Sequence, residues 1–277
     1  MSIKKAIVAV AGMGTRLLPA TKALSKEMLP IVDKPVIQWI AEDISAAGIN
    51  DIIFVTGKNK RALEEHFNKN PELENFLVGQ KDLLKATTAM NSIAKFSFVR
   101  QNEPRGNADA IKQALRLLHN EPALVMWGDE ILIGGEPVKR HLELFEKLRH
   151  PLLVLYQVPR EKISSYGIVK VRKTDESDLY EILNIVEKPR PEDAPSNLAA
   201  VGRYALTPEV FSLIDDVGIT EVLQRYLKQG GKVYGWEFKG ERFDCGSKIG
   251  LLKAAVYYGL RHPEISKEFN EYLKDIV

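Results

Sequence analysis

The chain has 277 residues, 27% of them charged, and its 39 Lys+Arg against 37 Asp+Glu leave a formal net charge of +2. Nucleic-acid binding draws on a basic excess that neutralises phosphates, and no such excess exists here, so nucleic acid is excluded as a partner. At 45% hydrophobic, with 19 Gly and 14 Pro and no low-complexity run, the composition is that of an ordinary globular protein able to bury a sizeable core.

Residues 4–11 (KKAIVAVA) form a β-branched apolar run that stops at Gly12, the pattern of a buried strand feeding a glycine turn. Similar short apolar runs follow at 51–56, 96–101, 122–127 and 152–158. Between them lie stretches of helical periodicity at 35–47, 60–68, 108–119 and 136–149, the first closed by Gly48. This β-α-β-α alternation implies an α/β fold with a mostly parallel, Rossmann-like sheet, helices on both faces, and ligands at the carboxyl ends of the strands. Residues 70–95 are polar and weakly periodic, which suggests a peripheral helical insertion. After about residue 160 the strand-like stretches 167–172, 179–187 and 199–206 follow one another without helices and read as an antiparallel extension. Helical segments return at 207–214 and 219–229, then a strand at 232–238 and terminal helices at 247–261 and 264–275. No linker or repeat divides the chain, so one domain over 1–277 is expected, with a nucleotide-binding part at 1–160, a sugar-binding part at 161–246 and C-terminal helices at 247–277.

The first strand opens into Ala11-Gly12-Met13-Gly14-Thr15-Arg16. Glycines at this place let backbone N–H groups approach phosphate oxygens, a logic shared by several nucleotide-binding loops. The loop is not a dinucleotide fingerprint, because the third glycine position is Leu17 and the second strand ends Val55-Thr56-Gly57 without a ribose-holding acid. Nor is it a Walker loop, since no Gly-Lys-Ser or Gly-Lys-Thr occurs. What distinguishes it is charge: Arg16, Lys22 and Lys26 follow the glycines, and Glu27 is the only acid between residues 6 and 32. A polyphosphate ligand explains that arrangement better than a solvated basic loop.

The stretch from Ala11 to Arg16, Pro19-Ala20-Thr21-Lys22, Lys26-Glu27-Met28-Leu29-Pro30 and Val32-Asp33-Lys34-Pro35 resembles the signature of the sugar-1-phosphate nucleotidyltransferases, most closely their uridylyltransferase group. The resemblance implies the fold of nucleotide-diphospho-sugar transferases and transfer of a uridylyl group from UTP to glucose 1-phosphate, with pyrophosphate leaving and Mg²⁺ as cofactor. By the family pattern Arg16 and Lys26 contact the triphosphate, while Ala11, Gly12, Met13, Gly14, Thr15 and the Glu27 segment surround the nucleotide. Asp129, in Gly128-Asp129-Glu130, and Asp244, in Phe243-Asp244-Cys245-Gly246, fall at the family's metal-binding aspartates. Two carboxylates suit Mg²⁺, which takes its other ligands from phosphates and water. In Val186-Glu187-Lys188-Pro189, the match gives Glu187 the sugar hydroxyls and makes Lys188 the catalytic contact to the sugar phosphate. Tyr166-Gly167 and Gly202 complete the sugar pocket, and Gln101 and Gly106 match the nucleobase contacts.

The resemblance is uneven. Where the uridylyltransferase pattern has Gly-Leu-Gly-His-Ala, this chain has Gly106-Asn107-Ala108-Asp109-Ala110, and a Glu-Ile-Gln-Leu-Thr-Asp run reads Asp216-Val217-Gly218-Ile219-Thr220-Glu221. A thymidylyltransferase or a non-catalytic sugar-nucleotide-binding relative are the alternatives. The five histidines are dispersed without metal-ligand spacing, and an ionised sugar phosphate needs no general base. Cys245, the single cysteine, excludes an intramolecular disulfide and fits a reduced, cytoplasmic setting. No leader pattern opens the chain and no segment reaches the roughly 20 apolar residues of a membrane span, so no membrane partner is expected. Family members suggest a homodimer or homotetramer, for which 247–275 offers candidate contacts.

Overall fold

The computed structural model describes residues 2–215 and 217–276, so Asp216 of the altered 216–221 run lies outside the described residues. In chain order, β1 (Lys5–Ala9) leads through three 3₁₀ turns to the short ladder of β2 (Pro30–Ile31) with β3 (Lys34–Pro35), then α1 (Val36–Ala46). Next come β4 (Asp51–Thr56), α2 (Arg61–Phe67), α3 (Pro71–Phe76), α4 (Lys81–Thr88), α5 (Met90–Ile93), β5 (Lys95–Arg100) and α6 (Asn107–Ala114). These are followed by β6 (Ala123–Trp127), β7 (Glu130–Ile133), α7 (Pro137–Leu148), β8 (Leu152–Gln157), β9 (Gly167–Lys173), β10 (Leu179–Glu187) and β11 (Leu198–Leu206). The chain closes with α8 (Pro208–Phe211), α9 (Ile219–Lys228), β12 (Val233–Glu237), β13 (Glu241–Asp244), α10 (Lys248–Gly259) and α11 (Ser266–Ile276). The polar 70–95 stretch forms α3–α5, and no helix among the described residues is long and apolar enough to cross a membrane.

Nine strands form one sheet in the order β5-β4-β1-β6-β11-β8-β12-β10-β9. The β5-β4-β1-β6 half is parallel throughout, as the alternation of runs and helices implies. The antiparallel part is not an appendage at one edge. β11 inserts between β6 and β8 and pairs antiparallel with both, so strands from both halves of the chain share one sheet. Its residues explain the placement: LAAVGRYAL is buried at every position except Ala200, as a strand covered on both faces must be. Arg203, the one charged residue in β11, is 1% exposed and lies 3.0 Å from Asp43 of α1, which ties the inserted strand to the helix above it.

Helices cover both faces. Along β1, Ala6, Val8 and Val10 point into a core shared with α1, α2, α7 and α10, while Ile7 points into the opposite core under α6, α8 and α9. This is the two-residue alternation of a strand buried on both sides. The loop after β1 is held from beneath by a buried pair. Lys60, at the start of α2, donates to the Gly12 carbonyl at 2.9 Å and to Glu27 Oε2 at 2.7 Å, and both side chains are almost fully inaccessible. A short ladder outside the main sheet, β7 with β13, joins chain segments more than 100 residues apart and sets Asp244 opposite Glu130.

Removing one partner of a buried ion pair leaves the other charge uncompensated, at about 3–5 kcal/mol. Lys60→Met is therefore expected to destabilise the protein by about 3 kcal/mol in urea unfolding, with most of the loss recovered in Lys60→Met/Glu27→Leu. A double variant no more stable than the single one contradicts this account.

A second prediction concerns acid stability. His141 of α7 is fully buried and its Nδ1 accepts from Trp236 Nε1 of β12 at 2.7 Å. Burial, reinforced by the Arg203 charge, pushes its pKa from 6.5 down to about 3. The unfolded chain regains the ordinary value and binds a proton that the fold refuses, so this contribution is complete above pH 6.5 and is lost as pH falls toward 3. Between pH 7 and pH 5 it amounts to about 2 kcal/mol. His141→Phe should flatten the fall in unfolding free energy over that interval by about that amount, and an unchanged slope contradicts the assignment.

Candidate active site

A cleft of about 520 Å³ opens where β1 and β6 end. Parallel neighbours β1 and β6 deliver the glycine loop and Asp129 side by side, and the β7–β13 ladder brings Asp244 to the same mouth. Lys26 Nζ lies 2.5 Å from Asp129 Oδ2. The Arg16 guanidinium binds Asp244 through two nitrogens, at 2.8 and 3.2 Å, and stands 4.0 Å from Asp129. Burial works against the charge on Lys26, but Asp129 and Glu27 outweigh it and hold the pKa above the ordinary lysine value. Arg16 is raised in the same way, with Asp244 and Asp129 overcoming its desolvation.

Backbone geometry fixes the pair of acids. The Cys245 N–H donates to the Asp129 carbonyl at 2.8 Å and the Gly246 N–H to Asp244 Oδ1 at 3.1 Å. A Cβ on Gly246 would collide with the Asp129 carboxylate and would sit 2.6 Å from the Arg16 guanidinium and 3.1 Å from Asp244 Oδ1, so only glycine lets these groups converge. Cys245 itself is buried, and burial together with Asp129 and Asp244 raises its thiol pKa far above the ordinary value, which leaves it a packing residue.

Hard oxygen donors on two converging carboxylates fit a divalent cation such as Mg²⁺. Among the described residues no group of three or more His, Cys, Asp or Glu is placed to hold a metal ion, so these two carboxylates are the donors the protein offers here.

Ala11, Gly12, Met13, Arg16, Lys26, Gln101, Gly106, Asp129, Tyr166, Gly202 and Asp244 all line the cleft. Gly14 and Thr15 do not; they turn the loop, and the Gly14 carbonyl accepts the Thr21 hydroxyl at 2.8 Å. The Glu27 side chain also stays out of the cleft, since Lys60 holds it beneath the loop, where burial raises its pKa against the opposing pull of Lys60 and Lys26. On the sugar side, Gly167, Glu187 and Lys188 lie beyond the cleft wall. Glu187 Oε2 accepts from Thr220 Oγ1 at 2.7 Å, and the largely exposed Lys188 Nζ is 3.8 Å from Glu187.

Glu130 and Arg242 are cleft residues that the motif reading missed. Glu130 Oε2 accepts the Gly202 N–H at 2.7 Å, while its Oε1 is gripped by the Arg242 guanidinium. Arg242 NH1 donates to the Tyr166 hydroxyl at 3.1 Å, and the guanidinium lies 5.0 Å from the Tyr166 ring centroid. A side chain on Gly202 would strike the Trp127 indole. The charged residues flanking both aspartates, Glu130 and Arg242, were the available signal, but their partnership depends on a ladder between distant segments.

A family model described as nucleotidyl transferase matches residues 5–259. A UTP–glucose-1-phosphate uridylyltransferase of Streptococcus pyogenes is 43% identical, over 98% of this chain and 93% of its own length. Two solved structures from Acinetobacter baumannii, a UDP-glucose pyrophosphorylase and a UTP-bound UGPase, each share 34% identity with a TM-score of 0.92 over 99% of this chain and 100% of theirs. A UDP-glucose pyrophosphorylase complexed with UDP-glucose shares 36% identity with a TM-score of 0.85, over 94% and 100%. With the glycine loop, the paired carboxylates and the mixed sheet all inside the matched span, the chain belongs to the nucleotidyl transferase family.

Proposed function

We propose that this chain transfers the uridylyl group of UTP to α-D-glucose 1-phosphate, giving UDP-glucose and pyrophosphate. The observation that carries the reading is the convergence of Arg16, Lys26, Asp129 and Asp244 at one mouth of the cleft, opposite the wall built by Tyr166, Gly202, Glu130 and Arg242. The names of the relatives support the substrate pair.

In this reading a phosphate oxygen of glucose 1-phosphate attacks the α-phosphorus of UTP. A new oxygen–phosphorus bond forms, the bond from the α-phosphorus to the bridging oxygen breaks, and pyrophosphate departs with the electron pair. The nucleophile is already ionised near neutral pH, so the site needs charge and alignment rather than a base. Arg16 and Lys26 supply positive charge to the leaving phosphates. Asp129 and Asp244 would hold Mg²⁺, which when bound supplies charge neutralisation at the α-phosphate. By the family pattern Glu187 accepts hydrogen bonds from hydroxyls of the sugar and Lys188 meets its phosphate, and the two side chains stand 3.8 Å apart. Ala11 and Gly12 line the triphosphate side of the cleft, and Gln101 with Gly106 the base side. The single cysteine, Cys245, is buried and unpaired, which supports a reducing, cytoplasmic setting.

Pyrophosphate release across a matrix of nucleoside triphosphates and sugar 1-phosphates should give its highest kcat/KM with UTP and glucose 1-phosphate; dominance of another pair replaces the substrate assignment. Asp129→Ala and Asp244→Ala should each lower kcat by about 10³-fold with the circular dichroism spectrum retained, as loss of a charge-stabilising group at the reacting phosphate does. Near-normal turnover in either variant contradicts the metal assignment.

A further inference from the structure

Behind Gln101 of the cleft wall stands a buried carboxylate, Asp109, that no step above uses. Gln101 follows β5 with its side chain almost fully buried, and its Nε2 donates both hydrogens, to the Gly106 carbonyl at 3.0 Å and to Asp109 Oδ2 at 2.7 Å. Both partners are acceptors, so the amide atom facing them must be the nitrogen. Asp109 is itself buried in the first turn of α6, and Gln113 Nε2 occupies its other oxygen at 3.0 Å, which leaves the carboxylate no freedom to turn. Among the described residues Gln101 Oε1 receives no hydrogen bond; it is not among the fully enclosed unpartnered atoms, and it belongs to a residue of the cleft wall.

We propose that Asp109 is a positioning residue for base choice: it locks the Gln101 amide with its oxygen toward the cleft, which selects a pyrimidine bearing N3–H and rejects one whose N3 is an acceptor. The proposal rests on the reading of the cleft as a nucleotide pocket. Uracil and thymine present N3–H, which an amide oxygen accepts. Cytosine presents a bare N3, so two acceptors face each other, and a buried polar group left unpaired discriminates strongly. An amide free to flip would offer its N–H₂ to cytosine equally well. Asp109 opposes that flip together with the Gly106 carbonyl, because neither a carboxylate nor a carbonyl can donate, and the charged carboxylate makes the shorter bond. The same position explains why the departure from Gly-Leu-Gly-His-Ala at Asp109 leaves the pocket ordered: the carboxylate is fully partnered by two glutamine amides.

The test measures kcat/KM for pyrophosphate release with UTP, dTTP and CTP in the full chain and in Asp109→Asn. An asparagine at 109 can donate as well as accept, so only the Gly106 carbonyl is left to oppose the flipped Gln101 amide, and that orientation gains population. The expected result is a UTP-to-CTP ratio that narrows by about tenfold or more while the UTP-to-dTTP ratio is unchanged, since both of those bases carry N3–H. A variant in which all three substrates fall together, with ratios preserved, overturns the proposal and makes Asp109 merely structural. Thermal melting establishes that the variant folds. In a Gln101→Leu background, Asp109→Asn should leave the UTP-to-CTP ratio where Gln101→Leu alone puts it, and a further shift there also overturns the proposal. If none of the triphosphates yields pyrophosphate with the unaltered chain, the nucleotidyl-transfer reading fails and this inference falls with it; if UTP turns over and only the ratio stays fixed, the failure belongs to Asp109 alone.

Discussion

Two carboxylates drawn together at the mouth of a cleft repel each other, and each needs a nearby positive charge to offset that repulsion. Asp129 and Asp244 meet this condition through Lys26 and Arg16, one cation to each acid, with Arg16 also within 4.0 Å of Asp129. Much of the surrounding structure follows from holding these four groups in place. The loop after β1 must present Arg16 and Lys26 on one side, and a buried lysine beneath it secures both the Gly12 carbonyl and Glu27. The chain after β13 must be free of a side chain at Gly246, and the β7–β13 ladder must bring Asp244 across from Glu130. A formal charge near zero over the whole chain thus coexists with a site of closely opposed charges.

The opposite wall obeys the same rule with different groups. Glu130 is buried beside the cleft, and Arg242 neutralises it while also engaging Tyr166. Glu130 then uses its second oxygen to fix the Gly202 N–H, so one acid organises a strand, an aromatic ring and a cation. Charge-assisted hydrogen bonds of this kind carry geometry as well as energy, and they fix Tyr166 and Gly202 relative to each other.

The parts of this design that the sequence discloses are those written in local periodicity. The apolar run ending at Gly12, the helices between runs and the polar insertion at 70–95 each carry a repeat of two or 3.6 residues, and they form where that repeat places them. Strand order is a different matter. The insertion of β11 between β6 and β8 depends on which apolar strand best fills the centre of a two-faced sheet, and nothing local to 152–158 reveals that its neighbour lies 40 residues on. The ladder of β7 and β13 escapes for a related reason: four-residue strands of mixed charge, far apart in the chain, have too little pattern to be seen. Motif matching located Arg16, Lys26, Asp129 and Asp244 together, but it could not show that Glu27 turns inward to Lys60, nor that Arg242 stands between Glu130 and Tyr166.

The start of α6 and the end of β10 are connected through the start of α9. Gly106, which accepts from Gln101, is followed by Asn107, whose side-chain oxygen accepts the Ile219 N–H at 3.0 Å and so caps the first turn of α9. The next residue, Thr220, donates to Glu187 at 2.7 Å. Gln101 and Glu187, to which the proposed reading gives the base and the sugar, are therefore tied to the same short segment. Among the described residues of the altered 216–221 run, what persists is the hydroxyl that holds Glu187 and the backbone N–H that Asn107 receives. Asn107 and Thr220 thus make two separate contacts on adjacent residues of one helix start: the asparagine offers an acceptor to the backbone N–H of Ile219, and the threonine offers a donor to the Glu187 carboxylate. The departure at Asn107 is therefore tied by a hydrogen bond to the segment that holds Glu187, a link that neither motif taken alone discloses.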